Sequence, residues 1–142
     1  MKTVILLDDD PDEQGILQDA FDQLDLPVQV LQFLTYTALC NYLSSAEKLP
    51  AMLFLDVNLP IQTGIDCIQL LKTQERFRRL PVAMYSNACD PQTIHQSLML
   101  GATAYLQKTS SLARLKDQLQ RLMSWNLETV GKLQEGERIL LR

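Results

Sequence analysis

Val4-Ile5-Leu6-Leu7-Asp8-Asp9-Asp10-Pro11-Asp12-Glu13 decides how the rest of this 142-residue chain is read. Four consecutive apolar residues fit a strand covered on both faces, as in a parallel sheet enclosed by helices. The run stops at acids, so the strand delivers carboxylates to one edge of that sheet. A helix follows at once. Asp10 is placed as an N-cap, Pro11 takes the first helical position, and Glu13 three residues on completes a capping-box pattern. Ile16, Leu17, Ala20, Phe21 and Leu24 then recur at helical spacing.

The alternation continues outward from there. A second strand is expected at Val28–Phe33, with a short helix around Leu39, Tyr42 and Leu43. Ala51–Leu55 is a third apolar strand, again ending in an acid, Asp56. Gly64 precedes a helix carrying Ile65, Ile68, Leu70 and Leu71. A strand at Val82–Tyr85 runs into Ser86. Asp90-Pro91 opens a helix with a narrow apolar stripe, Ile94 and Leu98, which Gly101 is placed to end. Ala102–Leu106 is a short strand with Lys108 just beyond it, and Leu112, Leu115, Leu119 and Leu122 mark a last helix. Five strands alternating with five helices predict an α/β fold: a doubly wound, five-stranded parallel sheet with helices on both faces and right-handed crossovers.

Composition narrows the class. Apolar residues make up 46% of the chain and charged residues 21%, which suits one globular domain and excludes disorder. Thirteen Lys plus Arg against seventeen Asp plus Glu leave a net charge of −4, so no direct nucleic-acid binding is expected. The longest apolar runs are far too short for a bilayer, and acids follow the first of them where a secretory signal would continue. Cys40, Cys67 and Cys89 are odd in number with no CxxC, which fits a reducing cytoplasm and no structural zinc.

In an open parallel sheet the ligand site lies beyond the carboxyl ends of the strands, where strand order reverses. In the order 2-1-3-4-5, Asp8-Asp9 after the first strand and Asp56 after the third converge there, with Ser86 and Lys108 beside them. Crowded carboxylates resist ionising together. A hard cation relieves this, and Mg²⁺ takes one or two direct carboxylates while keeping waters for a phosphate. A carboxylate beside such a cation is a competent nucleophile toward phosphorus, while Lys108 and the Ser86 hydroxyl suit the phosphoryl oxygens.

Residues 2–123 resemble the receiver domain of two-component response regulators, the CheY-like family. The resemblance rests on LLDDD at 6–10, LDVNLP at 55–60 with Gly64 following, PVAMYS at 81–86 and GATAYLQK at 101–108. It implies a flavodoxin-like fold and a domain spanning 1–123. Asp56 would be the phosphoacceptor, with Lys108 and Ser86 as its catalytic partners. Mg²⁺ would be held by Asp9, Asp56 and the Asn58 carbonyl, with Asp8 acting through water. Ser86 and Tyr105 would form the switch, Tyr105 turning inward as the loop after the fourth strand shifts. The implied partners are a sensor histidine kinase or phosphotransfer protein upstream and an unknown protein target downstream. Three positions depart from the pattern: Thr63 where Asp is frequent, Asn87 where a small residue is common, and Thr109 where proline usually introduces a cis peptide.

Residues 124–142 read as a C-terminal extension too short for an output domain. Their closing Ile139-Leu140-Leu141 is expected to pack back on the domain or across a homodimer. Two rival functions stand beside the switch. A phosphorylation-independent binding module would keep the pocket as a relic. An aspartate-nucleophile phosphatase would need a proton donor two residues after its nucleophile, where Asn58 stands.

Overall fold

The computed structural model describes residues 2–59, 61–88, 90–124 and 139–141. The elements run β1 (Lys2–Leu7), α1 (Pro11–Leu24), β2 (Val28–Phe33), α2 (Tyr36–Ser45), β3 (Met52–Asp56) and α3 (Gly64–Lys72). A 3₁₀ turn (Glu75–Phe77), β4 (Val82–Ser86), α4 (Pro91–Met99), β5 (Ala104–Gln107), α5 (Leu112–Met123) and β6 (Ile139–Leu141) follow. All pairings are parallel, in the order β2-β1-β3-β4-β5-β6. The five expected strands therefore lie in the expected order. A sixth joins them at the edge, where the backbone of Ile139, Leu140 and Leu141 runs in register with Ala104, Tyr105 and Leu106.

Strand alternation splits the interior into two layers. Ile5, Leu7, Leu53, Leu55, Val82 and Met84 point toward α2, α3 and α4, meeting Leu39, Leu43, Ile68, Leu71 and Ile94. Val4, Leu6, Met52, Phe54, Ala83, Ala104 and Leu106 point the other way, onto Leu17, Ala20 and Phe21 of α1 and Leu115, Leu119 and Leu122 of α5. Phe21 and Phe54 meet edge to face at 6.0 Å between ring centres. Each large side chain so buried stabilises the fold by roughly 1.5–3 kcal/mol before entropy is counted.

Local signals set the element ends. Asp10 caps α1 by accepting the Asp12 N–H, with Pro11 behind it, and Asp25 closes the helix in the left-handed region at φ 51°. The capping box expected from Glu13 does not form. Asp8 Oδ1 accepts the Asp10 N–H at 2.9 Å, and the Glu13 carboxylate goes to Lys108 instead. A buried ammonium competes better for a carboxylate than one backbone N–H does. A reciprocal box forms at α3, between Thr63 and Asp66, which accounts for Thr63 before Gly64.

Opposite the acidic edge, the Lys72 ammonium donates to the carbonyls of Phe77, Arg78 and Leu80 at 3.4, 3.0 and 2.5 Å. It thereby closes the turn between α3 and β4. Its alkyl stem packs under Gly101, whose φ of 108° ends the fourth helix as expected.

Candidate functional site

The carboxyl ends of β1, β3, β4 and β5 meet in one pocket. Asp8 and Asp56 are buried, at 0% and 3% exposure, while Asp9 faces solvent. Carboxylate oxygens of Asp8, Asp9 and Asp56 all lie within 4.8 Å of one another. Lys108, beyond β5, brings its ammonium to 3.2 Å from Asp56 Oδ2 and 3.5 Å from Asp8 Oδ2, and pairs most closely with Glu13. The Tyr85 ring lies 5.1 Å beneath that ammonium. Three carboxylates thus share one cation, with the Asp9 carboxylate beside them.

The backbone fixes these groups. Asp8 N–H donates to the Phe33 carbonyl, and the buried Gln14 amide donates to the Asp8 and Phe33 carbonyls at 2.9 and 3.0 Å, tying α1 to the ends of β1 and β2. Asp56 Oδ1 accepts the Asn58 N–H at 2.9 Å, leaving Oδ2 toward Lys108. Gly64 N–H donates to the Val57 carbonyl at 2.9 Å, and a Cβ at Gly64 would sit 2.8 Å from Val57 Cα and closer still to the Asp56 carbonyl oxygen. Only glycine lets α3 start this near the buried acid.

Electrostatics follow from the geometry. Burial pushes the Asp8 carboxyl up to about 7; Glu13 and Asp56 add to the rise, while the Asp10 N–H and Lys108 oppose it. Burial also works against the Lys108 charge, yet the bond to Glu13 and the charges of Asp56 and Asp8 outweigh it and raise its pKa above the ordinary value. Burial pushes the Tyr85 phenol up to about 12. An excess of negative charge in a largely buried cup, with one side open at Asp9, fits a divalent cation held by Asp8, Asp9 and Asp56.

Ser86 is fully buried at the end of β4, where its Oγ accepts the Ala88 N–H at 3.0 Å and the Asn58 amide at 3.4 Å. Tyr105 is fully buried as well, and its hydroxyl donates to the Ala88 carbonyl at 2.7 Å. The inward position expected after a loop shift is therefore already occupied. Asn58, Ser86, Ala88 and Tyr105 form one hydrogen-bonded line from the acidic pocket to β5. Asn87 points into solvent, and the peptide before Thr109 is trans.

The structure gathers Asp8, Asp9, Asp56, Asn58, Ser86 and Lys108 at one mouth, with Tyr105 one step behind. Reading the sequence missed three contributors. Glu13 pairs with a residue 95 positions away, which no local pattern signals. The Asn58 side chain, expected to matter only through its main chain, reaches Ser86. Gln14 did leave a trace, as a polar residue on the stripe that continues through Leu17 and Phe21.

Residues 4–120 match the response regulator receiver domain family. The chain belongs to that family. Among characterised relatives it is 36% identical over 80 residues to Protein RcaC of Microchaete diplosiphon, but that match covers 54% of this chain and only 12% of RcaC. To the response regulator Rcp1 of Synechocystis it is 22% identical over 134 residues, 91% of each chain. The Mn(2+)-bound form of Rcp1 superposes with a TM-score of 0.76 at 22% identity, over 91% of this chain and 96% of that one. The phosphorylated cyanobacterial phytochrome response regulator RcpA gives 0.78 at 22% identity, over 90% and 95%. Receiver domains are regulatory domains of two-component signalling. Among the described residues no helix is long and apolar enough to cross a membrane.

Proposed function

We propose that this chain is a phosphorylation-dependent signalling switch. Asp56 accepts a phosphoryl group from a histidine kinase or phosphotransfer protein, and the product is read through protein–protein contact, in the cytoplasm. A carboxylate oxygen of Asp56 attacks phosphorus. The bond from phosphorus to the donor's histidine nitrogen breaks, its electron pair stays on nitrogen, and an acyl phosphate forms on Asp56. Asp8, Asp9 and Asp56, with the Asn58 carbonyl, would hold Mg²⁺, which when bound offsets charge on the transferring group. Lys108 supplies the other positive charge, and to reach the new oxygens it must loosen from Glu13 and Asp8. The observation that carries this reading is the single ammonium lying 3.2 Å from a buried carboxylate in a cluster of acids.

The Ser86 hydroxyl, which accepts the Ala88 N–H, would donate to a phosphoryl oxygen, and turning toward it draws on the same loop whose Ala88 carbonyl holds Tyr105. One or two charge-assisted hydrogen bonds contribute about 1.5–3 kcal/mol each, against the ~5.5 kcal/mol needed to swing a population from 1:99 to 99:1. The switch would be the work of residues 1–123, with 124–142 as an extension.

The test is intact-mass spectrometry after incubation with acetyl phosphate. Wild type should gain one phosphoryl group with Mg²⁺ and none in EDTA, and Asp56→Asn should gain none. An unchanged mass with fresh reagent and metal would sink the switch and leave a phosphorylation-independent binding module. Steady hydrolysis of small phosphomonoesters would instead favour a phosphatase.

A further inference from the structure

We infer that β6 is exchanged between two copies of this chain, Ile139–Leu141 of each copy pairing with β5 of the other. The handedness of the sheet carries this. From β1 to β2 the chain steps one way across the sheet through α1. From β2 to β3, β3 to β4 and β4 to β5 it steps the opposite way through α2, α3 and α4, on the opposite face. Reversing both direction and face keeps the same hand, so these four crossovers agree. The step from β5 to β6 has the direction of β4 to β5, yet α5 packs on the α1 face. Made within one chain, that connection has the opposite hand. Crossovers between parallel strands are right-handed in about 98% of cases, because the twist of the strands favours that return path. A strand supplied by a second copy occupies the same register with no crossover at all.

The length of the connection agrees. Fourteen residues, 125–138, separate α5 with its cap Ser124 from Ile139. A helix-to-strand return inside one α/β layer takes about 2–6 residues. Fourteen can extend to about 45 Å, enough to reach a neighbouring molecule. The receiving edge suits this occupant too. Without β6, β5 would be a bare edge strand, a template for pairing with another chain. Reciprocal exchange of the same three residues closes the pair with two-fold symmetry and covers the β5 edge of both copies.

Light scattering on the full chain at about 100 μM should give a mass near twice 16.2 kDa, and Leu140→Pro, which removes a ladder donor, should return it to monomer. The register names a sharper probe. In a background of Cys40→Ser, Cys67→Ala and Cys89→Ser, Ala104→Cys and Ile139→Cys are made on separate chains, mixed and oxidised. A disulfide-linked dimer containing one of each is expected, absent when either is oxidised alone. A monomeric mass for wild type overturns the proposal. So does a dimer that Leu140→Pro leaves intact, or a single chain carrying both Ala104→Cys and Ile139→Cys that closes its disulfide only within monomers. Should the cysteine-free background not fold, the scattering comparison of wild type with Leu140→Pro decides alone.

Discussion

At the amino ends of the strands Lys72 donates to three backbone carbonyls, and at the carboxyl ends Lys108 meets the carboxylates of Glu13, Asp56 and Asp8. Among the described residues, each ammonium group meets at least three oxygens. Neutral carbonyl dipoles are satisfied by one cation and seek nothing more, so Lys72 fastens a turn. Three anions around Lys108, with Asp9 beside them, remain under-neutralised, which leaves the second end able to take a further cation. The difference lies in the acceptors.

On the proposed function, breaking the acidic end should have the largest effect. Lys108→Ala is expected to slow acetyl-phosphate labelling of Asp56 by about 10²–10³-fold, the usual loss when one preorganised charge is removed from a transition state. Lys72→Met should leave the labelling rate within about twofold. Rapid-quench labelling of both variants, normalised to folded protein, separates the two lysines. Equal losses would mean that the contrast is false.

The pH dependence gives a second measure. Asp8 has its folded pKa raised from an ordinary carboxylate value to about 7, so the folded state prefers it protonated. Its contribution is fully present below about pH 4 and is lost as pH rises through 7. In EDTA, urea unfolding of Asp8→Asn compared with wild type should show the variant gaining of order 2–3 kcal/mol between pH 4 and 7.5. Millimolar Mg²⁺ should erase that gain by stabilising wild type selectively, by about 2.7 kcal/mol at a hundredfold excess over Kd. A pH-independent difference would remove Asp8 as the strained acid.

At the opposite edge Lys72→Met should cost about 2 kcal/mol in urea unfolding, through three carbonyls left to find water, with no dependence on Mg²⁺. The smallest effect belongs to Glu13→Gln. With Lys108 freed from its closest partner, acetyl phosphate should label Asp56 a few-fold faster at saturating Mg²⁺, and a slower rate would mean that Glu13 positions the lysine instead of detaining it.

How much of this was legible in the sequence follows from the range of each interaction. The strands could be read because a parallel sheet demands apolar runs, and the pocket because Asp8, Asp9, Asp56, Ser86 and Lys108 each stand where such a run stops. Asp10 and Pro11 fixed the start of α1 correctly. Glu13 was misread because the same spacing serves a local cap and a distant ion pair, and only folding sets the two in competition. Tyr105 could be placed on its strand but its rotamer could not, since the Ala88 carbonyl that holds it belongs to a loop. Ile139-Leu140-Leu141 looked simply apolar, for three residues carry no periodicity that separates an edge strand from a buried tail.

Gly64 sets a limit on how this architecture can diverge. Because its N–H closes the loop back onto Val57 while its missing side chain makes room for the Asp56 backbone, the segment between them behaves as a ring with a fixed clasp. Exposed Ile61 on that ring can be replaced without disturbing the clasp. Its circumference and its clasp are far less negotiable, so an insertion or deletion in this loop would disturb the buried acid where an exposed substitution would not.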